Sequence, residues 1–145
     1  MCEVEMNQYW NVMVPEITVL NFEKSLAFYT ETLGFSVRYQ RKKPNFVYIE
    51  QENVQIMLEQ YHEDGWNVAE LSSPLGRGIN FQMALTDIEP MLKRINSAQI
   101  KLYRELKESW YDTGGVLSGQ KEILVQDPDG YLLRFTQYLG EKPES

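Results

Sequence analysis

Arg134 ends the run Asp127-Pro128-Asp129-Gly130-Tyr131-Leu132-Leu133-Arg134, and its guanidinium limits what a site built around it can do. The group is permanently charged and has no lone pair, so it binds anions or planar groups and cannot coordinate a metal. Glu16 and Glu59 could work as a general acid and base if a dry pocket raised one pKa, or either could simply neutralise Arg134. Both alternatives stay open at this point. His62 is the only histidine, so a Ser-His-Asp or Cys-His device would have to use it. Cys2, the only cysteine, lies too close to the terminus to serve as its nucleophile. Asp127 and Asp129 with Gly130 copy part of a calcium loop but lack the remaining ligands, which makes them a turn first. Gly114-Gly115 is not followed by a helix start and so makes no phosphate cradle. Trp66, Trp110 and Tyr111 fall in expected loops beside Glu63, Asp64, Glu108 and Asp112, either as a binding rim or as cover for a module or a dimer seam. Trp10 reads as packing or an inter-subunit contact.

The elements that must position these groups come in two copies. Residues 12–20 alternate as a strand does, and Asn21 is suited to cap a helix whose stripe is Phe22, Leu26, Tyr29 and Leu33, ending at Gly34. Strands are expected over 35–40, 46–50 and 54–61, separated by turn-rich residues. The plan then repeats, with a strand over 79–85, a helix opening near Asp87 with Ile88, Leu92 and Ile95 on one stripe, and strands over 101–105, 120–126 and 131–138. Pro90 suits the first helical turn, where its missing N–H costs nothing. The expected fold is α+β: two tandem βαβββ modules, about 10–62 and 78–140, joined by a linker over 63–77. Together they form a single domain with a cupped, partly closed mixed sheet and helices on its outer face. Parity places Glu16, Thr18, Phe46, Tyr48, Met57, Glu59, Asn80, Gln82, Arg134 and Thr136 on the faces away from the helices.

Composition narrows the partners. The chain has 145 residues, 43% hydrophobic and 24% charged, enough to bury one core. A net charge of −7 argues against nucleic acid and would draw in a cation, although such acidity also serves plain solubility. The acidic Met1-Cys2-Glu3-Val4-Glu5 start does not look like a secretory signal, no apolar run is long enough to span a membrane, and a lone cysteine suits a reducing cytosol.

Val14-Pro15-Glu16-Ile17-Thr18-Val19, Phe28-Tyr29, Leu33-Gly34-Phe35 and Asp127-Pro128-Asp129-Gly130-Tyr131 resemble the vicinal oxygen chelate superfamily, which includes glyoxalase I, extradiol dioxygenases, and fosfomycin- and bleomycin-resistance proteins. The likeness runs from about Tyr9 to Gly140. In metal-dependent members the ligands come from positions that here hold Val14, Met57, Asn80 and Arg134, with Glu59 and Ile79 as the alternatives if the middle register slips. That set does not supply the roughly three ligands a catalytic divalent site needs, so no metal and no cofactor is expected. The departures look like the bleomycin-resistance branch, which often carries Leu-Leu-Arg after the turn. The resemblance then implies a cytoplasmic homodimer that sequesters an aromatic, cationic antibiotic without altering it, through Phe46, Tyr48, Met57, Glu59, Trp66, Asn80, Trp110, Tyr111 and Arg134. Ser118-Gly119 stands where that branch usually has Trp-Gly, and Trp110-Tyr111 would substitute by reaching over the cup. The alternatives are a metal-dependent lyase, isomerase or thiol transferase of the glyoxalase I or fosfomycin-resistance type using Glu16 or Glu59, and a binding domain for another metabolite.

Overall fold

Asn21 opens the first helix by accepting a 3.2 Å hydrogen bond from the Lys24 amide, which satisfies one of the donors a helix start leaves without a partner. The computed structural model describes residues 9–144, so Cys2 and the acidic start lie outside the described residues. In it, β1 (Glu16–Val19) leads into α1 (Phe22–Ala27), which continues as a π turn over Phe28–Thr32. The Leu33 amide there reaches back to the Phe28 carbonyl at 3.0 Å. On the helix, Ser25 and Phe28 are buried with Phe22, Tyr29 and Leu33, while Leu26 is only partly covered.

The strands β2 (Ser36–Arg41), β3 (Phe46–Gln51) and β4 (Val54–Gln60) complete a four-stranded sheet in the order β1-β4-β3-β2. The second module repeats the order as β5-β8-β7-β6, from β5 (Asn80–Ala84), α2 (Glu89–Ser97), β6 (Arg104–Asp112), β7 (Val116–Gln126) and β8 (Leu132–Pro143). In each sheet the first strand pairs parallel with the last and the other pairs are antiparallel. Among the described residues the architecture is therefore the expected α+β duplication: two mixed sheets and two helices, with no closed barrel. Pro90 lies in the first turn of α2, and Met91, absent from the expected stripe, is buried with Ile88 and Ile95.

Two element assignments differ from the sequence reading. Residues 12–15 form no strand; Val12 and Met13 are exposed, and Pro15 lacks the N–H a ladder requires. The strand expected over 101–105 runs instead from Arg104 to Asp112, and Trp110 and Tyr111 lie on it rather than in a loop. Its sequence is nearly all polar because it is an edge strand whose side chains meet water. Thr113-Gly114-Gly115 closes the β6–β7 hairpin, with both glycines at positive φ (108° and 91°) and their amides donating to the Asp112 carboxylate, which lowers its pKa.

One apolar core runs through both modules, with Val47, Ile49 and Leu58 from the first sheet, Ile88 and Ile95 from the start and interior of α2, and Leu133 and Phe135 from the second sheet. Each such aliphatic side chain stabilises the fold by about 1.5–3 kcal/mol relative to exposure. The polar link between modules is the Asp127–Gly130 turn. Asp127 Oδ1 accepts from the Asp129 and Tyr131 amides, both at 2.9 Å, and Oδ2 accepts from the Tyr29 hydroxyl at 2.7 Å. Asp129 accepts from the Leu20 amide and the Ser25 hydroxyl, and the Tyr131 hydroxyl donates to the Thr18 carbonyl at 2.9 Å. Arg94 of α2 adds bonds from Nε and Nη2 to the Thr32 and Leu33 carbonyls at 2.8 and 3.0 Å, across Gly34, where a Cβ would lie 2.5 Å from that guanidinium.

Burial pushes the Asp127 carboxyl up to about 6 despite three hydrogen bonds that favour the charged form. The folded state therefore holds this proton more tightly than the unfolded chain. The resulting stability is complete below about pH 4 and is lost as pH rises through 6. Measured by urea unfolding, the stability of the native chain relative to Asp127→Asn should fall by about 2.5 kcal/mol between pH 4 and 7; a difference that does not change with pH would refute the assignment.

Candidate functional site

Strand pairing decides which polar side chains meet. Glu16 lies opposite Met57, and Thr18 opposite Glu59; across β4, Met57 faces Tyr48 and Glu59 faces Phe46. The parity reading thus holds for all six residues. Glu16 and Glu59 line a cavity of about 280 Å³ together with Arg41, His62, Asp64 and Trp66. Trp66 is 95% exposed at its rim, on a loop tied to β1 by the 3.1 Å bond from the Thr18 hydroxyl to the Asn67 side chain. Burial, then the neighbouring Glu59 charge, raises the Glu16 pKa, while the Arg41 guanidinium opposes them. His62 Nε2 stands 3.5 Å from Glu59.

The rest of that sheet face is covered by the chain itself. The Arg41 guanidinium lies 4.1 Å above the centroid of Phe46, which is only 1% exposed. Tyr48 is buried between Tyr39, stacked at 5.5 Å, and Trp10, edge-on at 4.8 Å. Arg38 lies 3.8 Å from the Trp10 centroid and pairs with Glu50 at 3.3 Å. Gln55 links this cluster, accepting from the Tyr48 hydroxyl and the Asn11 amide and donating to Glu50. A ligand therefore meets Phe46 or Tyr48 only after Arg41 or Trp10 moves aside.

Arg134 and Asn80 line a different cavity, of about 340 Å³, with Tyr103, Arg104, Lys107 and Glu122. The sequence reading left Arg134 to pair with Glu16 or Glu59. It pairs instead with Glu122 on the adjacent strand, Nε to Oε2 at 2.7 Å. Within one chain the first cavity is lined by module one and the linker and the second by module two, so Arg134 does not share a cavity with either glutamate. Trp110 joins neither cavity. Its ring covers Gly119, where a Cβ would lie 2.5 Å from it; Lys142 Nζ lies 4.0 Å from the ring centroid and Glu108 accepts from its indole N–H. Tyr111 is half exposed beside it. Arg41, Glu122, Arg104 and Lys107 escaped the sequence reading, and only a correct strand register, with Arg41 opposite Phe46, would have pointed to the first.

Residues 12–135 match the family model described as the glyoxalase/bleomycin resistance protein/dioxygenase superfamily. The chain belongs to that superfamily. Bleomycin resistance proteins of Geobacillus stearothermophilus and Staphylococcus aureus are each 25% identical to it over 135 residues, covering 87% of this chain and 96% of theirs. A virulence protein from Salmonella typhimurium shares the fold at a TM-score of 0.62 and 24% identity, covering 91% of this chain and 99% of that one. TioX from Micromonospora sp. ML1 does so at 0.65 and 15%, covering 90% and 100%.

The superfamily's metal-dependent members pose a test for this site. Val14 and Arg134 offer no lone pair, Met57 only a soft thioether and Asn80 an amide oxygen. Among the described residues no three His, Cys, Asp or Glu side chains are grouped to hold an ion. The residues present do not fit a catalytic divalent metal.

The shared acidic cavity makes a direct prediction. Glu59→Gln removes a charge that raises the Glu16 pKa, so carboxyl carbon NMR should show the Glu16 titration moving to lower pH. An unmoved titration would mean that the two carboxylates do not feel one another.

Proposed function

We propose that this protein is a non-catalytic binder of a partly aromatic, cationic small molecule of the bleomycin-like antibiotic class, acting by sequestration in the cytoplasm. The observation that carries this reading is the cavity lined by Glu16, Glu59 and Asp64 with the exposed ring of Trp66. Carboxylates attract a cation, and an indole face adds about 0.5–2 kcal/mol by cation–π contact. An ion pair there would be charge-assisted and sensitive to salt. Similarity to the bleomycin resistance proteins supports the drug class.

The reading includes a homodimer. Val12 and Met13, fully or nearly fully exposed, and half-exposed Ile79 form the apolar surface such an interface would cover. A second copy would bring the module-one cavity of one protomer against the module-two face of the other, completing a pocket that one chain leaves in halves. Trp110 and Tyr111 belong to the reading only as part of a rim contributed in this way.

Calorimetric titration with bleomycin should give saturable binding at tens of micromolar or tighter. Trp66→Ala should weaken it about tenfold, equivalent to about 1.4 kcal/mol, and Glu59→Gln should weaken it with a shallower salt dependence. No heat at those concentrations, or unchanged affinity in both variants, would overturn the reading.

A further inference from the structure

The second cavity has the opposite chemistry to the first. In a chain of net charge −7 it gathers Arg104, Lys107 and Arg134 against only Glu105 and Glu122. The geometry points to a subsite for an oxyanion, a carboxylate or a phosphonate, held by Arg134. The inference rests on the reading that this protein binds a small molecule and adds a second, negatively charged group to that molecule.

The way Arg134 is held favours this occupant. Glu122 engages Nε alone, at 2.7 Å, and itself takes a further bond from Gln120 at 3.2 Å. The pairing fixes the plane of the guanidinium without using its outer edge, and among the described residues neither terminal nitrogen donates to a partner. Those two nitrogens form a fork suited to two parallel bonds to one oxyanion. The Arg134 side chain is only 30% exposed, so such bonds form partly out of water and are stronger than at an open surface. Asn80 brings an amide to the same cavity, and its side chain likewise has no partner among the described residues. Tyr103, half exposed and 5.8 Å from the Arg104 guanidinium, provides a flat wall for an aromatic body attached to the anion. A cation here would meet three positive charges, two of which, Arg104 and Arg134, cannot be deprotonated.

Titrations of the full chain with phenylphosphonate, benzoate and benzylammonium at constant ionic strength, read in ¹⁵N–¹H spectra at Arg134 Nε and the Asn80 amide, test the inference. At least one of the two anions should shift both signals saturably, phenylphosphonate alone marking a tetrahedral group and benzoate alone a planar one. Benzylammonium should leave them in place. Arg134→Gln should weaken anion binding at least tenfold, and Arg134→Lys, which keeps the charge but loses the fork, severalfold. Arg134→Gln leaves Glu122 without its partner, so the neutral pair Arg134→Gln/Glu122→Gln should show the same loss in a fold with one fewer bare charge. No saturable shift with either anion, equal anion affinity in the neutral-pair variant, or the same shifts with benzylammonium would overturn the subsite. Drug capture at Glu16 and Trp66 can fail with this result intact, and the reverse, because the two titrations read different cavities.

Discussion

Burying the Asp127 carboxylate is the constraint on which the rest of the molecule depends. A carboxyl group in an apolar interior is costly unless its oxygens are bonded, and here one oxygen is held by its own turn and the other by Tyr29 of the opposite module. That arrangement sets the direction in which β8 leaves the turn, and so the face on which Arg134 emerges. Gly130 is part of the same constraint: its φ is +103°, and a Cβ there would come within 2.8 Å of the Pro74 backbone. Because Leu75 also donates to the Asp129 carbonyl at 2.8 Å, one turn fixes the first helix, the linker and the last strand together.

With the helical sides locked onto a common core, the polar face of each sheet carries the two cavities. The first offers carboxylates beside an exposed indole, the second a fork of guanidinium nitrogens beside a phenol. Among the described residues, no three His, Cys, Asp or Glu side chains are grouped to hold an ion. What they share, and what the proposed binding role draws on, is charge set beside a flat aromatic ring.

Much of this was legible from residue order. The Asp-Pro-Asp-Gly turn, the repeated βαβββ plan and the alternation that puts Glu16, Met57 and Glu59 on one face all follow from local rules. What could not be read depended on register or on water. The strand holding Trp110 is so polar that only its position at a sheet edge explains it, and the π turn after Ala27 leaves no mark in the spacing of apolar residues. The Arg134 partner lies diagonally on β7, where Leu124 stands directly opposite Arg134 and Glu122 opposite Thr136, so the pair emerges only once the β7–β8 register is known. Alternation before β1 suggested a longer strand, but among the described residues nothing covers Val12 and Met13, which stay exposed.

The central claim is capture without chemistry, and mass spectrometry of the captured drug tests it most directly. The protein would be incubated overnight with bleomycin in the presence of zinc, nickel, manganese and a thiol, then denatured to release the drug for weighing. The account predicts drug of unchanged mass, retained in amounts no greater than the binding sites present. A product of altered mass, accumulating beyond the quantity of protein, would contradict it.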